Sequence, residues 1–427
     1  MNLREDWTFR GLVAQTTDPD LLERLGAGGT TAYIGFDPSA ASLHLGHLLQ
    51  LCNLRRLQLA GNRPIALAGG GTGLIGDPSF KDVERPLLGV EELAYNVGRI
   101  ASQLEGLLDF SAGLGPARAL VLNNADWLTV IPLTEFLRDV GKYFTVNQMV
   151  AKETVRNRLE RDDVGLSFTE FSYPLLQAYD FWRLNRDHGC TLQLGGSDQW
   201  GNISAGVEFV RRTTRGPADG ITSPLLLRAD GRKFGKTEGG NENVWLDPAM
   251  TRPFAMHQFL LNSDDEITPK LLRFFTFLDH ETIADLDASI ASSPQERRAQ
   301  RVLANEVVGL VHGEATARQA ERAGEALFSD AIADLDEETL LEVVANAPSS
   351  TLSREDLRAG CDPVDLLVSA SLAASRAEAR RFLDQGGVYV NNRRVEPGAT
   401  LDLASALHDR YVVLRRGRRQ MHLVVLT

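Results

Sequence analysis

Leu43-His44-Leu45-Gly46-His47 is the stretch on which the reading of this chain turns. It follows Thr31-Ala-Tyr-Ile-Gly-Phe-Asp37-Pro38, which reads as a strand running into a turn. It leads into Leu48 to Leu57, where apolar residues recur at helical spacing. The two histidines therefore fall at the start of a helix that follows a strand. Backbone N–H groups and the helix dipole favour an anion such as phosphate at that place. Residues three and four apart share a helix face, so both rings can meet one ligand. Gly46 leaves room for a flat group against the backbone. Two polar residues on an exposed helix start would look the same, and the rest of the chain has to decide.

At 427 residues the chain is long enough for two or three domains. Its 43% hydrophobic and 24% charged residues are ordinary for a globular protein. No apolar run reaches the roughly 18 residues of a membrane span. The start, Met1 to Trp7, is charged from the fourth residue and has no signal-peptide core. Cys52, Cys190 and Cys361 lie far apart, which argues against a disulfide framework and against a zinc finger or ribbon. A reducing cytoplasm is the expected location. The net charge of −12 hides an asymmetry: residues 364–427 hold ten arginines against six acids, +4, leaving −16 for residues 1–363. A basic tail on an acidic body suggests a polyanion held at that end.

After a short helical lead-in over 1–30, strands and helices alternate. Strands are expected around Tyr33, at Pro64–Ala68, Ala119–Asn123, Thr191–Gly195 and Pro224–Arg228. Helices are expected from His44, over 90–109, 133–150, 152–160 and 172–187. This alternation predicts a parallel sheet with helices on both faces and ligands at the carboxyl ends of its strands. From Pro253 helical patterns dominate to about Ala347, Asn346 to Ser353 reads as a linker, and a third unit begins at Val364.

Three further stretches carry chemistry. Gly69 to Gly76 is glycine-rich but lacks both the phosphate-loop ending and the spaced glycines of a dinucleotide fold, so alone it reads equally as a surface loop. Lys233-Phe-Gly-Lys236-Thr237 places two point charges and a hydroxyl in a loop flanked by glycines, suited to polyphosphate or to a solvated basic turn. Tyr173, Gln177 and Asp180, spaced four and three, share one helix face that could line a pocket or simply be exposed. In the tail, Arg376 and Arg380 lie on one helix face beside Arg381. Val388 to Val395 reads as a hairpin that turns at Asn391-Asn392 and carries Arg393 and Arg394. Arginines on a helix next to a basic hairpin suit structured RNA.

Together these motifs resemble the two signatures of the class I aminoacyl-tRNA synthetases, with the lysine loop in the form of the tyrosine branch. Tyr33 to Pro38, Gly73 to Ser79 and Gly195 to Asn202 also match, and the tail resembles an S4 RNA-binding module. The resemblance implies an α/β fold. A Rossmann-like catalytic domain with dimer-forming helices would span 1–247 and an α-helical anticodon-region domain 248–347. A linker would cover 348–363 and a small α+β S4-like domain 364–427. It implies activation of L-tyrosine with ATP to tyrosyl-adenylate and pyrophosphate, then transfer to the 3′ end of tRNA(Tyr). Mg²⁺ would accompany ATP, with no metal held by the protein alone, and the protein would be a homodimer meeting near residues 130–150.

By the same resemblance Tyr33 and Asp180 hold the phenolic hydroxyl of tyrosine, while Asp77, Tyr173 and Gln177 hold its amino group. Gly35, Asp37, Ser39, Gly46, Asp198 and Gln199 face the ATP and adenylate side. His44 and His47 contact the phosphates, and Lys233, Lys236 and Thr237 close over the leaving pyrophosphate, joined by Lys81 and Arg85. Arg376, Arg380, Arg381, Arg393 and Arg394 meet RNA. Ser39 stands where the family often has threonine, which keeps the hydroxyl. A carboxylate is already a nucleophile at neutral pH, so the work implied is positioning and charge stabilisation rather than base catalysis. No inserted editing domain is evident. Three rivals remain: a tryptophan-specific enzyme of the same class, a nucleotidyltransferase that makes a dinucleotide cofactor, and a non-catalytic RNA-binding descendant.

Overall fold

The computed structural model describes residues 2–77, 88–151, 155–156, 165–227, 243–327, 329–345, 347–417 and 420–427. The chain divides into two compact units, one of residues 1–251 with 262–303, the other of residues 252–261 with 304–427. The helical stretch expected over 248–347 is therefore shared between them. Among the described residues no helix is long and apolar enough to cross a membrane.

The first unit is built on a six-stranded sheet. Its strands are β1 (Gln15–Thr16), β2 (Thr31–Phe36), β3 (Arg63–Ala68), β4 (Leu120–Asn123), β5 (Cys190–Gly196) and β6 (Asp219–Ser223). They lie in the order β1-β6-β5-β2-β3-β4, all parallel except β1. The near-continuous apolar runs of β2 and β3 are what a strand covered on both faces requires. Chain order reverses at β2, which pairs with β3 on one side and β5 on the other. A cleft opens at such a switch point, beyond the carboxyl ends of the strands.

The helices that matter for this cleft are α1 (Leu3–Arg10), α2 (Leu45–Leu59), α3 (Val90–Leu107), α4 (Phe168–His188) and α5 (Trp200–Thr214), with α6 (Thr268–Phe275) behind them. α4 and α5 pack on the sheet through Ala178, Phe181, Leu184, Ile203 and Val207. Each large apolar side chain so buried contributes about 2 kcal/mol. The far end of α2 is tied down by two buried arginines. Arg56 donates to the carbonyls of Phe274 and Thr276 at 3.0 and 2.9 Å, and Arg10 to that of Thr276 at 3.0 Å. The C-terminal carbonyls of α6, which have no partner within their own helix, are thereby satisfied.

Two expectations need correction in this unit. The last strand is not Pro224–Arg228 but Asp219–Ser223. Proline has no N–H for a ladder, so Pro224 ends the strand instead of starting it. The turn-like composition Asp-Gly-Ile-Thr-Ser concealed a strand whose five residues are all buried. Residues 133–150 form two helices, Leu133–Asp139 and Val146–Val150, rather than one. The helix expected at 152–160 lies almost wholly outside the described residues.

The second unit holds a five-stranded sheet in the order β7-β11-β10-β8-β9. The strands are β7 (Ser349–Leu352), β8 (Val388–Val390), β9 (Arg393–Arg394), β10 (Tyr411–Arg416) and β11 (Gln420–Leu426), with α7 (Arg376–Asp384) packed beside them. The hairpin forms as expected, with Val390 opposite Arg393 and Asn391 and Asn392 both at positive φ (47° and 61°). The linker expected over 348–363 contains β7 and the short helix Arg354–Arg358. Its composition looks structureless because the partner of β7 is β11, at the far end of the chain.

Candidate active site

At the carboxyl edge of β2 and β5 a cavity of about 570 Å³ opens, closed on other sides by α2 and α4. Its wall brings together Tyr33, Gly35, Asp37, Ser39, His44, Gly46, His47, Asp77, Tyr173, Gln177, Asp180, Asp198 and Gln199. All thirteen were expected from sequence to share a site. Lys81, Arg85, Lys233, Lys236 and Thr237 lie outside the described residues. Among the described lining residues the charges are the carboxylates of Asp37, Asp77, Asp180 and Asp198.

The deep end is a buried phenol beside a buried carboxylate. Tyr33 and Asp180 are 1% and 2% exposed. Asp180 accepts from Trp127 Nε1 at 2.6 Å and from Asn124 Nδ2 at 2.9 Å. Burial pushes its carboxyl up to about 7, against the pull of those two donors. Burial, aided by the nearby Asp180, also raises the Tyr33 hydroxyl well above its usual range. The Tyr33 oxygen has no hydrogen-bond partner among the described residues. A buried hydroxyl left unpaired costs about 1–3 kcal/mol, which a ligand with a polar group at that point recovers.

From Asp180 a hydrogen-bonded chain leads outward. Asn124 Nδ2 also reaches Thr72 Oγ1 at 3.0 Å, and Thr72 donates to Asp37 Oδ1 at 3.1 Å. Tyr173 donates to Asp37 Oδ2 at 3.2 Å. A second chain runs from Gln177 Nε2 to Gln199 Oε1 at 3.3 Å and from Gln199 Nε2 to Asp77 Oδ2 at 2.6 Å. These links hold each polar group in one orientation before any ligand arrives. Gly35 is the exposed residue of β2, and a Cβ there would meet nothing within 4 Å, so the cavity reaches the strand backbone itself.

The histidines occupy the opposite end. His44 is the N-cap of α2, and its Nδ1 accepts from the Gly46 N–H at 3.0 Å. His47 Nδ1 accepts from the His44 N–H at 3.3 Å. With Nδ1 committed as acceptor in both rings, the proton of each neutral imidazole sits on Nε2. The rings stack at 3.8 Å with planes 12° apart. Gly46 is required for this: a Cβ would stand 2.9 Å from His44 Cε1.

Several residues that line the cavity or support its wall escaped the sequence reading. Asn124 closes the carboxyl end of β4, a position the parallel-sheet rule would have flagged. Gln193 interrupts an apolar strand at 2% exposure, itself a signal of a buried polar role. Gln50 lies one turn beyond Gly46 on α2 and donates to Ser223 Oγ at 2.8 Å. Trp127 carried no signal, because only the fold brings its indole to Asp180.

Known proteins share both the sequence and the fold that build this cavity. A family model described as tRNA synthetases class I (W and Y) matches residues 27–329, and one described as Tyrosine--tRNA ligase SYY-like C-terminal domain matches residues 340–424. A tyrosine--tRNA ligase of Roseiflexus castenholzii is 50% identical over 99% of both chains, and one of Geobacillus stearothermophilus 47% over 99% of both. The chain is a class I aminoacyl-tRNA synthetase of the tyrosine–tRNA ligase family. The crystal structure of a C-terminally truncated Aspergillus nidulans mitochondrial tyrosyl-tRNA synthetase superposes at TM-score 0.69 with 32% identity, covering 77% of this synthetase and 94% of that chain. A tryptophanyl-tRNA synthetase from Encephalitozoon cuniculi (14% identity, TM-score 0.53, covering 74% of this synthetase and 87% of that chain) shares the fold alone. Of the three rival readings, the tryptophan-specific one is set aside by the full-length relatives and by the C-terminal model.

Proposed function

We propose that this synthetase binds tyrosine with its phenol between Tyr33 and Asp180 and its ammonium among Asp77, Tyr173 and Gln177. The observation that carries the reading is the unpartnered Tyr33 hydroxyl beside a carboxylate held by two donors. A phenol can donate to Asp180 while it accepts from Tyr33, whereas phenylalanine leaves the Tyr33 hydroxyl unpaired and offers Asp180 no donor. The acidic wall suits an ammonium. ATP then lies toward Gly35, Asp37, Ser39, Gly46, Asp198 and Gln199. The Nε2–H groups of His44 and His47 donate to the phosphates as the tyrosine carboxylate attacks the α-phosphorus, and Lys233, Lys236, Thr237, Lys81 and Arg85 take the pyrophosphate. Mg²⁺ would accompany ATP and supply charge neutralisation on the polyphosphate.

Pyrophosphate exchange with each amino acid in turn tests this directly. Exchange is expected with tyrosine and not with tryptophan or phenylalanine; equal use of tryptophan refutes the pocket. Because the phenol donates to an ionised Asp180, tyrosine binding should weaken as pH falls through about 7. The loss approaches roughly tenfold per pH unit below that point and levels off above it. Calorimetric titration at pH 6 and 8 reads it, with proton release on binding at pH 6; pH-independent affinity would count against the assignment. Gly46→Ala pushes the His44 ring off its cap, and adenylate formation should fall roughly a hundredfold with tyrosine affinity unchanged.

The tail would bind tRNA(Tyr) through Arg376, Arg380, Arg381, Arg393 and Arg394. A homodimer is supported by a patch of exposed apolar side chains, Val130, Leu133, Leu137, Val146 and Phe168 at 50–76% exposure. The same stretch of chain helps to line a groove of about 190 Å³, through Tyr143, Phe144 and Met149 together with Phe209. Apolar surface of this kind marks an interface, here with a second copy. Leu133→Asp with Leu137→Asp should shift sedimentation toward monomer.

A further inference from the structure

We infer that Trp245 is a positioning residue for the His44–His47 pair, an inference that rests on the phosphate role proposed for those rings. Residues 43–45 and 244–246 form a short antiparallel stitch. Leu45 N–H donates to Val244 O at 3.1 Å, and Leu246 N–H donates to Leu43 O at 2.8 Å. Trp245 lies directly opposite His44 in this bridge. The two exchange no main-chain bonds with each other, the arrangement in which facing side chains stand closest.

The consequence is an aromatic row. The Trp245 ring is 6.0 Å from His44 and tilted by 54°. His44 stacks on His47 at 3.8 Å, and His47 meets the edge of Phe36 at 6.1 Å and 75°. Phe36 ends the central strand β2 and is 1% exposed, a fixed inner support. Trp245 is the outer one. A backbone bond to Nδ1 fixes the position of one ring atom but says little about the tilt of the ring around it. Packing on both sides of the stack sets the plane, and the plane sets the direction of Nε2–H. Donors act on a transition state only when so pre-aimed.

The test compares Trp245→Ala, Trp245→Phe and Trp245→Leu in the full chain. Trp245→Ala should slow adenylate formation roughly tenfold to a hundredfold, the scale of a small misplacement of a reacting group, with KM for tyrosine unchanged. Phenylalanine should restore most of the rate and leucine should not, because leucine fills space without presenting an aromatic face. Equal rates for the leucine and phenylalanine variants, an unaffected alanine variant, or a KM for tyrosine that rises as the rate falls would each overturn the inference. A second readout is independent of turnover. The ring C–H signals of His44 and His47 should move in Trp245→Ala and stay near their original positions in Trp245→Phe. Signals that stay put in Trp245→Ala refute the positioning role. A wild-type protein without exchange activity would refute the catalytic reading instead, while these signals still decide whether Trp245 orients the rings.

Discussion

Asp180→Ala is expected to remove the synthetase's preference for tyrosine over phenylalanine. The carboxylate accepts from Trp127 and Asn124 and stands beside the unpartnered Tyr33 hydroxyl. A hydrogen bond to a charged group contributes about 1.5–3 kcal/mol, so kcat/KM for tyrosine should fall roughly tenfold to a hundredfold while that for phenylalanine changes little. Folding is not the confounding factor it would be for a paired surface acid. The Asp180 carboxyl is raised by burial to about 7, so its ionised form opposes folding. That cost begins above the unfolded carboxyl value and is complete above about 7, and removing the charge at pH 8 relieves a few kcal/mol. Asp180→Asn should therefore be at least as stable as the parent at pH 8 in urea unfolding, yet equally indiscriminate. Retained discrimination in either variant would show that another group reads the phenol.

The second large effect concerns the tail. Replacing Arg380, Arg381, Arg393 and Arg394 together with glutamine should lower tRNA charging at least roughly a hundredfold. It should also flatten the salt dependence of charging, because each arginine that no longer neutralises a phosphate takes about one unit off the logarithmic salt slope. Pyrophosphate exchange should be untouched. Charging that survives would move the RNA-binding surface elsewhere. Substitution is a cleaner test than cutting the chain near residue 350. A cut would strip Tyr411, Val413 and Leu423 from a cluster they share with Phe254, Ala323, Ile332, Leu340 and Val344. The remaining helices would be left with an open apolar face, and failed charging would then report unfolding as readily as failed RNA binding. Some of the arginines also have acidic neighbours that RNA must displace. Arg376 lies 2.8 Å from Asp365, and Arg393 lies 3.9 Å from Asp330.

Local pattern was enough to locate β2, α2 and the histidines at its cap, because period and capping are properties of neighbouring residues. The hairpin at Asn391-Asn392 was legible for the same reason, since a turn with two positive φ values selects its residues locally. The motifs also named thirteen of the residues that line one cavity. What they did not supply was the support behind those residues. Asn124 and Trp127 fix Asp180 from β4 and the short helix after it, a relation of sequence separation 53 or more that no local pattern encodes. Trp245 faces His44 from far along the chain, and closing so long a loop leaves no trace in the residues near either end.

The tail shows the division most clearly. In β10, Val412 and Leu414 enter one core while Tyr411 and Val413 enter another. Alternate residues of a strand point to opposite faces, so an unbroken apolar run joins two layers. Spacing along the chain is sufficient to say where the strands, the cap and the polar helix face lie. It is not sufficient to make β7 a strand rather than a linker, or to turn Asp180, Tyr33 and the two histidines toward one cavity. Long-range pairing and burial set both, and neither leaves a periodic mark on the residues that take part.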